Sequence, residues 1–351
     1  MRPIFIHGAA SITAQETIDD TYFFESIREY TSNPVPAFEP DYKELIPPLQ
    51  LRRMNRSMRM ALFTSKRALQ HAEIPSVDAI ILGSGMGCLV DSERFVEALL
   101  EDEEQRFNPT PFIQSTHNMA AATLALAFQC KGYNMTYVNN ANSVASAVLD
   151  GMLYLSEHPE EVILLGGVEE LGLKSPQFWE WAGFSEQKFP ALPPQIQTTR
   201  EMVSEGAGIL VASAQARAHN LAVIKAIEYF AEGGDSESRI QAFMHANGVN
   251  PSEVDVLMLG IQTRTPEEQT LINMSTRLFP TAAQVGFKHL FGEHDSVSAS
   301  AIAMACKLFE HQTIPPTLLL SDQQPLRIKN ILLYNQRRGA QHSLYWMSHE
   351  F

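Results

Sequence analysis

Consecutive apolar residues, more than alternating ones, shape the hydrophobic pattern of this chain. The segments "AIILG" (79–83), "VILLGG" (162–167) and "VLMLG" (256–260) are short, apolar throughout and bounded by turn residues. That is the pattern of strands covered on both faces, and it predicts an α/β architecture. A further apolar strand, with Met135, Tyr137 and Val138, breaks into the polar turn Asn139, Asn140, Ala141 and Asn142. Small residues follow (Ser143, Ala145, Ser146, Ala147) and predict a helix whose backbone packs closely on its neighbours. Strand, sharp turn and small-residue helix together form the layout of a nucleophile turn. Yet the four turn residues include no thiol, no acid and no base.

The pattern occurs twice. "NSVASAVLDGMLYLSEH" (142–158) and "DSVSASAIAMACKLFEH" (295–311) align without a gap at an offset of 153, sharing Ser143/Ser296, Val144/Val297, Leu155/Leu308, Glu157/Glu310 and His158/His311. "HAEIPSVDAIILG" (71–83) and "HANGVNPSEVDVLMLG" (245–260) both run from a helix end through a Pro-Ser turn into an Asp-led apolar strand, with three extra residues in the later copy. Two α/β halves packed back to back are therefore expected, 1–213 and 214–351, the first closing near "SEGAGILVAS" (204–213). A length of 351 residues accommodates two such units. Segment 185–204, with Pro190, Pro193 and Pro194, reads as a long surface loop.

Composition narrows the function classes. No apolar run approaches the ~18 residues that span a bilayer, and the opening "MRPIFIHGAAS" is too short and strand-like for a signal peptide, so a soluble, cytoplasmic chain is expected. Cys88, Cys130 and Cys306 lie far apart, form no CxxC pair and sit among small or apolar residues. Reduced, buried thiols follow, with no metal site and no cofactor. The 26 basic against 40 acidic residues give a net charge of −14, with a local acidic run from Glu101 to Glu104, which argues against a nucleic-acid partner. One stretch departs from this balance: "LRRMNRSMRMALFTSKR" (51–67) reads as a helix carrying Arg52, Arg53, Arg56, Arg59, Lys66 and Arg67. It is either a solvated helix face or a dock for an acidic partner.

Together with the duplication, several motifs stand in order: "GSGMG" (83–87), "NPTPFIQSTHNMAAATLA" (108–125), "LLGGVEE" (164–170), "SEGAG" (204–208), and "FKHLFGEH" (287–294) followed by "IPPTL" (314–318). Over nearly the whole chain they resemble a β-ketoacyl synthase. The resemblance implies a thiolase-like α/β fold of two duplicated halves in five layers, αβαβα. It also implies a dimer formed by pairing the strand before the nucleophile turn across a two-fold axis.

An active member of that family takes up an acyl chain on a cysteine at a helix N-terminus, whose thiolate the helix dipole stabilises. Two histidines, aided by a lysine, then stabilise the enolate formed by decarboxylating a malonyl unit. By resemblance the cysteine position falls on Ala141, with Asn140 or Asn142 open through a one-residue slip. The first histidine position becomes Ile261 in "GIQTRTP", where Thr263, Thr265 and Pro266 fit the family pattern. The second becomes Glu293, behind a retained Lys288 and Gly292. Alanine is no nucleophile, isoleucine donates no hydrogen bond, and a carboxylate repels an enolate. His294 replaces the second histidine only if the turn shifts by one position. "NQRRGAQHS" (335–343) stands, shortened, where the family has a glycine-rich loop.

These three losses imply a subunit without catalysis, resembling the chain-length factor of type II polyketide systems. Such a subunit pairs with an active ketosynthase, shapes the acyl tunnel, and meets the acyl carrier protein mainly through its partner. Its compact size is that of partners in aryl polyene or flexirubin-type pigment pathways. Phe112, Gln114, Thr116, His117 and Met119 are candidate tunnel residues, for which ordinary packing at a helix N-terminus is the competing explanation. Tyr137 and Val138 belong to the expected dimer strand. Two alternatives stay open: an acyltransferase or thioester hydrolase using Ser143 or His294, and a homodimeric acyl-chain binding scaffold. A thiol or serine hydroxyl beside an imidazole, at the pole of the buried helix in either half, would contradict the non-catalytic reading.

Overall fold

The computed structural model describes residues 2–19, 21–101, 108–188, 201–231, 235–262 and 266–349. Its strands are β1 (Ile4–Ile12), β2 (Ala79–Gly83), β3 (Asn134–Tyr137), β4 (Val162–Glu169), β5 (Gly206–Ser213), β6 (Ala222–Ala231), β7 (Val256–Leu259), β8 (Ala283–Gly286), β9 (Asn330–Arg337) and β10 (Gln341–Ser348). The helices are α1 (Pro48–Leu51), α2 (Arg56–Ala72), α3 (Leu89–Glu101), α4 (Pro109–Gln114), α5 (Met119–Phe128), α6 (Ser143–Glu157), α7 (Ser175–Trp181), α8 (Ser236–Ala246), α9 (Pro266–Leu278), α10 (Lys288–Phe291) and α11 (Val297–His311).

Strand order reveals the duplication as a repeat of pairing. The sheet runs β3-β2-β4-β5-β1-β6-β10-β9-β7-β8, so from either end the order is the same. β2 is parallel to β3 and β4, while β4 is antiparallel to β5 and β5 to β1. Likewise β7 is parallel to β8 and β9, while β9 is antiparallel to β10 and β10 to β6. The expectation of two halves set back to back needs one amendment. Ile4–Ile6 of β1 pair with Ala222–Ile224 of β6 and join both sets of five strands into one sheet.

Helices α6 and α11, the two small-residue copies, form the middle layer. Their Val144, Val148, Met152, Ile302 and Leu308 share one core with Ile81 and Leu165 of the first five strands and Met258 and Leu333 of the second. α2 and α5 cover the outer face of the first set, and α8 and α9 that of the second, which makes five layers. Small residues permit this closeness: a Cβ on Gly83 would come within 2.5 Å of the Ser143 backbone, and one on Gly208 equally close to that of Ser300.

The two outer strands differ. β8 is buried along its length, and the segment after it covers its free edge, with the Gly286 amide donating to Leu318 O and the Leu320 amide to Gln284 O, both at 2.9 Å. Among the described residues β3 pairs with β2 alone, and its Asn134 and Met135 are exposed.

Some local expectations are corrected. The basic stretch is not one helix, because the Asn55 side chain accepts the Met58 amide and starts α2 afresh, leaving Arg52 and Arg53 in the exposed connection. Arg56 turns inward, 2.6 Å from both Glu39 and the buried Glu205, so it belongs to no docking face. Cys88 and Cys306 are buried free thiols as expected, but Cys130 just beyond α5 is partly exposed and donates to Asp78 O. Val138 lies one residue beyond β3. Of the acidic run only Glu101 is described, and residues 189–200 of the proposed long loop lie outside the described residues. No described helix is long and apolar enough to cross a membrane.

Candidate functional site

The turn after β3 is one turn of 3₁₀ helix, Asn140–Asn142, with Asn140 in the left-handed region at φ 46°. Asparagine tolerates that conformation better than other residues with a Cβ. Ala141 is buried, and its amide donates to the Gln341 side chain at 3.0 Å. The Ser143 hydroxyl is occupied within the turn: it donates to Asn140 O at 2.6 Å and accepts the Asn139 amide at 2.8 Å. No residue of the turn presents a nucleophile.

Over this turn lies a cleft of about 330 Å³, whose walls include Met86, Asn140, Glu169, Glu293, His294 and Arg337. The shortened loop forms part of it as the β9–β10 hairpin, with Arg338 and Gly339 at positive φ at its tip. Arg337 pairs with Asp295. Arg338 makes a two-pronged contact with Glu201 at 2.7 Å and lies 3.6 Å from the centre of the Phe184 ring. With Gln341 on the Ala141 amide, the hairpin ties the second half to the first across the cleft.

Lys288 and Glu293 form a buried ion pair at 2.7 Å, and the ammonium also donates to Gln336 O at 2.6 Å. Burial raises the Glu293 carboxyl above the ordinary range, opposed by the cations of Lys288 and Arg337. Lys288 is thus paired with the residue that the sequence leads one to expect at the second histidine position. Ile261 is buried in the outer core of the second half and does not line the cleft. Thr263 and Thr265 lie outside the described residues, and Pro266 opens α9.

His294 does line the cleft, and its Nδ1 lies 3.2 Å from the Ser296 hydroxyl. This is an imidazole beside a serine at the pole of α11, the contact that the non-catalytic expectation ruled out. Its setting differs from that of a working pair. Ser296 is fully buried at the N-cap of α11, outside the cleft wall, and it is the repeat mate of the capping Ser143. Burial, with Lys288 and Arg337 nearby, lowers the His294 pKa to about 3 and keeps the ring neutral.

Sequence reasoning quoted "LLGGVEE" and "SEGAG" without giving their carboxylates a task. Glu169 accepts the Gly85 and Met86 amides at 2.8 Å each and the Ser84 hydroxyl at 3.2 Å. Glu170 accepts the Ser57 and Val90 amides at 3.0 Å each. Glu205 accepts the amides of Ala37 and Leu171. Burial pushes Glu169 and Glu170 up to about 7. These carboxylates fasten the loops around the cleft. The signal available was acids directly following apolar runs that read as fully buried.

The candidate tunnel residues do not gather at the cleft. Phe112, Thr116 and His117 are exposed, Met119 is half-buried, and half-buried Gln114 donates to Arg53 O. α5 adjoins β3, where the Asn134 side chain donates to Ala121 O, so Met119 at its start lies on the side of the open edge with half-buried Tyr137 and exposed Val138, while Phe112 of α4 packs on Phe95 of α3.

No curated protein matches the chain by sequence. Among solved structures, a β-ketoacyl synthase from Burkholderia phymatum STM815 is similar at 17% identity, covering 100% of both chains with a TM-score of 0.80. The ishigamide ketosynthase/chain length factor is similar at 16% identity, covering 100% of both chains, with a TM-score of 0.78. The ketosynthase ApeO in complex with its chain length factor ApeC from Xenorhabdus doucetiae matches at 14% identity over 99% of this chain and 98% of that one, with a TM-score of 0.79. These likenesses show the thiolase-like fold. The sequence model of the β-ketoacyl synthase N-terminal domain matches residues 12–213, more than half of the length, and the chain therefore belongs to the β-ketoacyl synthase family.

Proposed function

We propose that this chain is a non-catalytic, chain-length-factor-like subunit that pairs along β3 with an active β-ketoacyl synthase and forms part of the wall of its acyl tunnel. The pathway is of type II polyketide or fatty-acid-like character, of the aryl polyene or flexirubin-type pigment class, and the complex is cytoplasmic. The observation that carries this is the turn at the pole of α6: its fold is kept by Asn140, Ser143 and Gln341, while its centre is Ala141. An open β3 edge with exposed Met135 and Val138, next to exposed Leu126 on the adjoining α5, supports the pairing, since an uncovered strand with apolar neighbours is an association surface. With a net charge of −14, the chain leaves docking of the acidic acyl carrier protein mainly to the partner.

Co-expression with a ketosynthase encoded in the same genome, followed by size measurement, tests the pairing. A one-to-one complex is expected; a stable homodimer that ignores the ketosynthase would favour the homodimeric scaffold. The contact between His294 and Ser296 favours a second reading, an acyltransferase or thioester hydrolase. Mass measurement after incubation with an acyl-carrier-protein thioester separates them. No acyl gain is expected on this chain, and a gain abolished by Ser296→Ala would replace the first reading with the second.

A further inference from the structure

The open edge carries a charge that the covered edge lacks. α6 and α11 are repeat mates, and at one equivalent position α6 has Asp150 where α11 has Ala303, which is buried in the core. Asp150 is half-buried, and the phenols of Tyr133 and Tyr137, one just before β3 and one at its end, turn toward its carboxylate. Tyr133 stacks on Tyr154 of α6 with ring centres 5.0 Å apart. Asp150 Oδ2 is buried without a hydrogen-bond partner among the described residues. Burial holds the carboxyl above the ordinary range, opposed by the phenol hydroxyls of Tyr133 and Tyr137. Leu153, one turn along α6, and Met135 on β3 are exposed beside it.

A carboxylate beside two phenol oxygens in a surface recess suits a cationic group, because the carboxylate pairs with the charge and the phenol oxygens can accept from it as well. We infer that the recess of Asp150, Tyr133 and Tyr137 receives a lysine or arginine side chain of the ketosynthase that pairs along β3; this rests on the pairing proposed above. A second copy of this chain is the poorer occupant on charge grounds, since each copy carries −14. At the equivalent position of α11, Ala303 is buried near Ala9, Phe24 and Phe291 and carries no charge.

Dissociation constants of the co-expressed complex, measured at low and high salt, test this with Asp150→Asn, Asp150→Lys and Tyr133→Phe. Asp150→Asn is expected to weaken the complex roughly 30-fold or more at low salt and to flatten its salt dependence. Asp150→Lys should abolish it, and reversing one basic residue of the ketosynthase to glutamate should restore it. A thermal midpoint of Asp150→Asn equal to that of the wild type would separate binding from folding; if Asp150→Lys fails to fold, Asp150→Asn carries the test. Wild-type affinity and salt dependence in Asp150→Asn would overturn the inference while leaving the pairing intact. A wild-type chain that binds no ketosynthase would remove both. A homodimer weakened by Asp150→Asn beside an unaffected heterodimer would assign the recess to a second copy and overturn the choice of partner.

Discussion

The Lys288 ammonium lies 2.7 Å from the Glu293 carboxylate, and both side chains are buried beside the cleft. In a low-dielectric site the attraction offsets a large desolvation cost, and removing one partner leaves the other charge stranded. Glu293→Gln is therefore expected to destabilise the chain by about 3 kcal/mol. The double variant Lys288→Met/Glu293→Leu should recover most of that loss. Denaturant midpoints of the three proteins check it, and a Glu293→Gln chain as stable as the wild type would refute a tightly coupled pair.

Restoring a thiol by Ala141→Cys should not restore elongation. The new side chain would sit at the pole of α6, but Ile261 packs away from the cleft and Glu293 faces it with a carboxyl group, so neither expected histidine position supplies an imidazole donor to an enolate. Product analysis with malonyl and acyl carrier substrates checks this. Appreciable elongation by the single variant would count against the correspondence of Ala141, Ile261 and Glu293 to the family's catalytic positions.

The carboxyls of Glu169 and Glu170 sit at about 7 against an ordinary 4.5. A raised pKa means the folded chain holds protons that the unfolded chain releases, so this contribution to stability is full below about pH 4.5 and disappears as pH rises through about 7. Glu169→Gln should therefore gain on the wild type as pH rises from about 4.5 to about 7 and level off above that. His294 and His7, lowered to about 3 and 4, act oppositely, since they cost stability as pH falls below their ordinary 6.5. For this reason the comparison is between variant and wild type at each pH, by thermal unfolding. A difference that stays flat from about pH 5 to 8 would contradict it.

Met135→Lys and Val138→Lys place charge on the exposed side chains at the β3 edge. Both should abolish association with the ketosynthase while shifting the thermal midpoint of the isolated chain little, because neither side chain is in the core. Complexes that persist in both variants would move the interface elsewhere.

Much of the fold was legible because its signals are local. Apolar runs with small-residue helices identify buried strands and a tight middle layer, and the aligned copies 142–158 and 295–311 became α6 and α11. Contacts between distant positions were not legible. The bond from the Ala141 amide to Gln341 spans 200 residues, and the β1–β6 junction depends on how the halves meet. The roles of Glu169 and Glu170 were not legible because a sequence does not display which distant backbone amides donate to them. The basic stretch misled for a smaller reason: Asn55 looked like a helix interior residue and proved to be a cap. That Ala141 offers no nucleophile was readable from residue type. The neighbourhood of His294 and Ser296 was not, since two residues in a turn face each other only for certain backbone angles.

The short ladder between Ile4–Ile6 and Ala222–Ile224 has a mechanical consequence. With it the ten strands form one continuous hydrogen-bonded sheet that closes around α6 and α11. A load applied along the β3 margin is spread through hydrogen-bonded neighbours as far as β8. In the pairing proposed, β3 would thus reach its partner backed by a continuous ladder of strands that ends at β8.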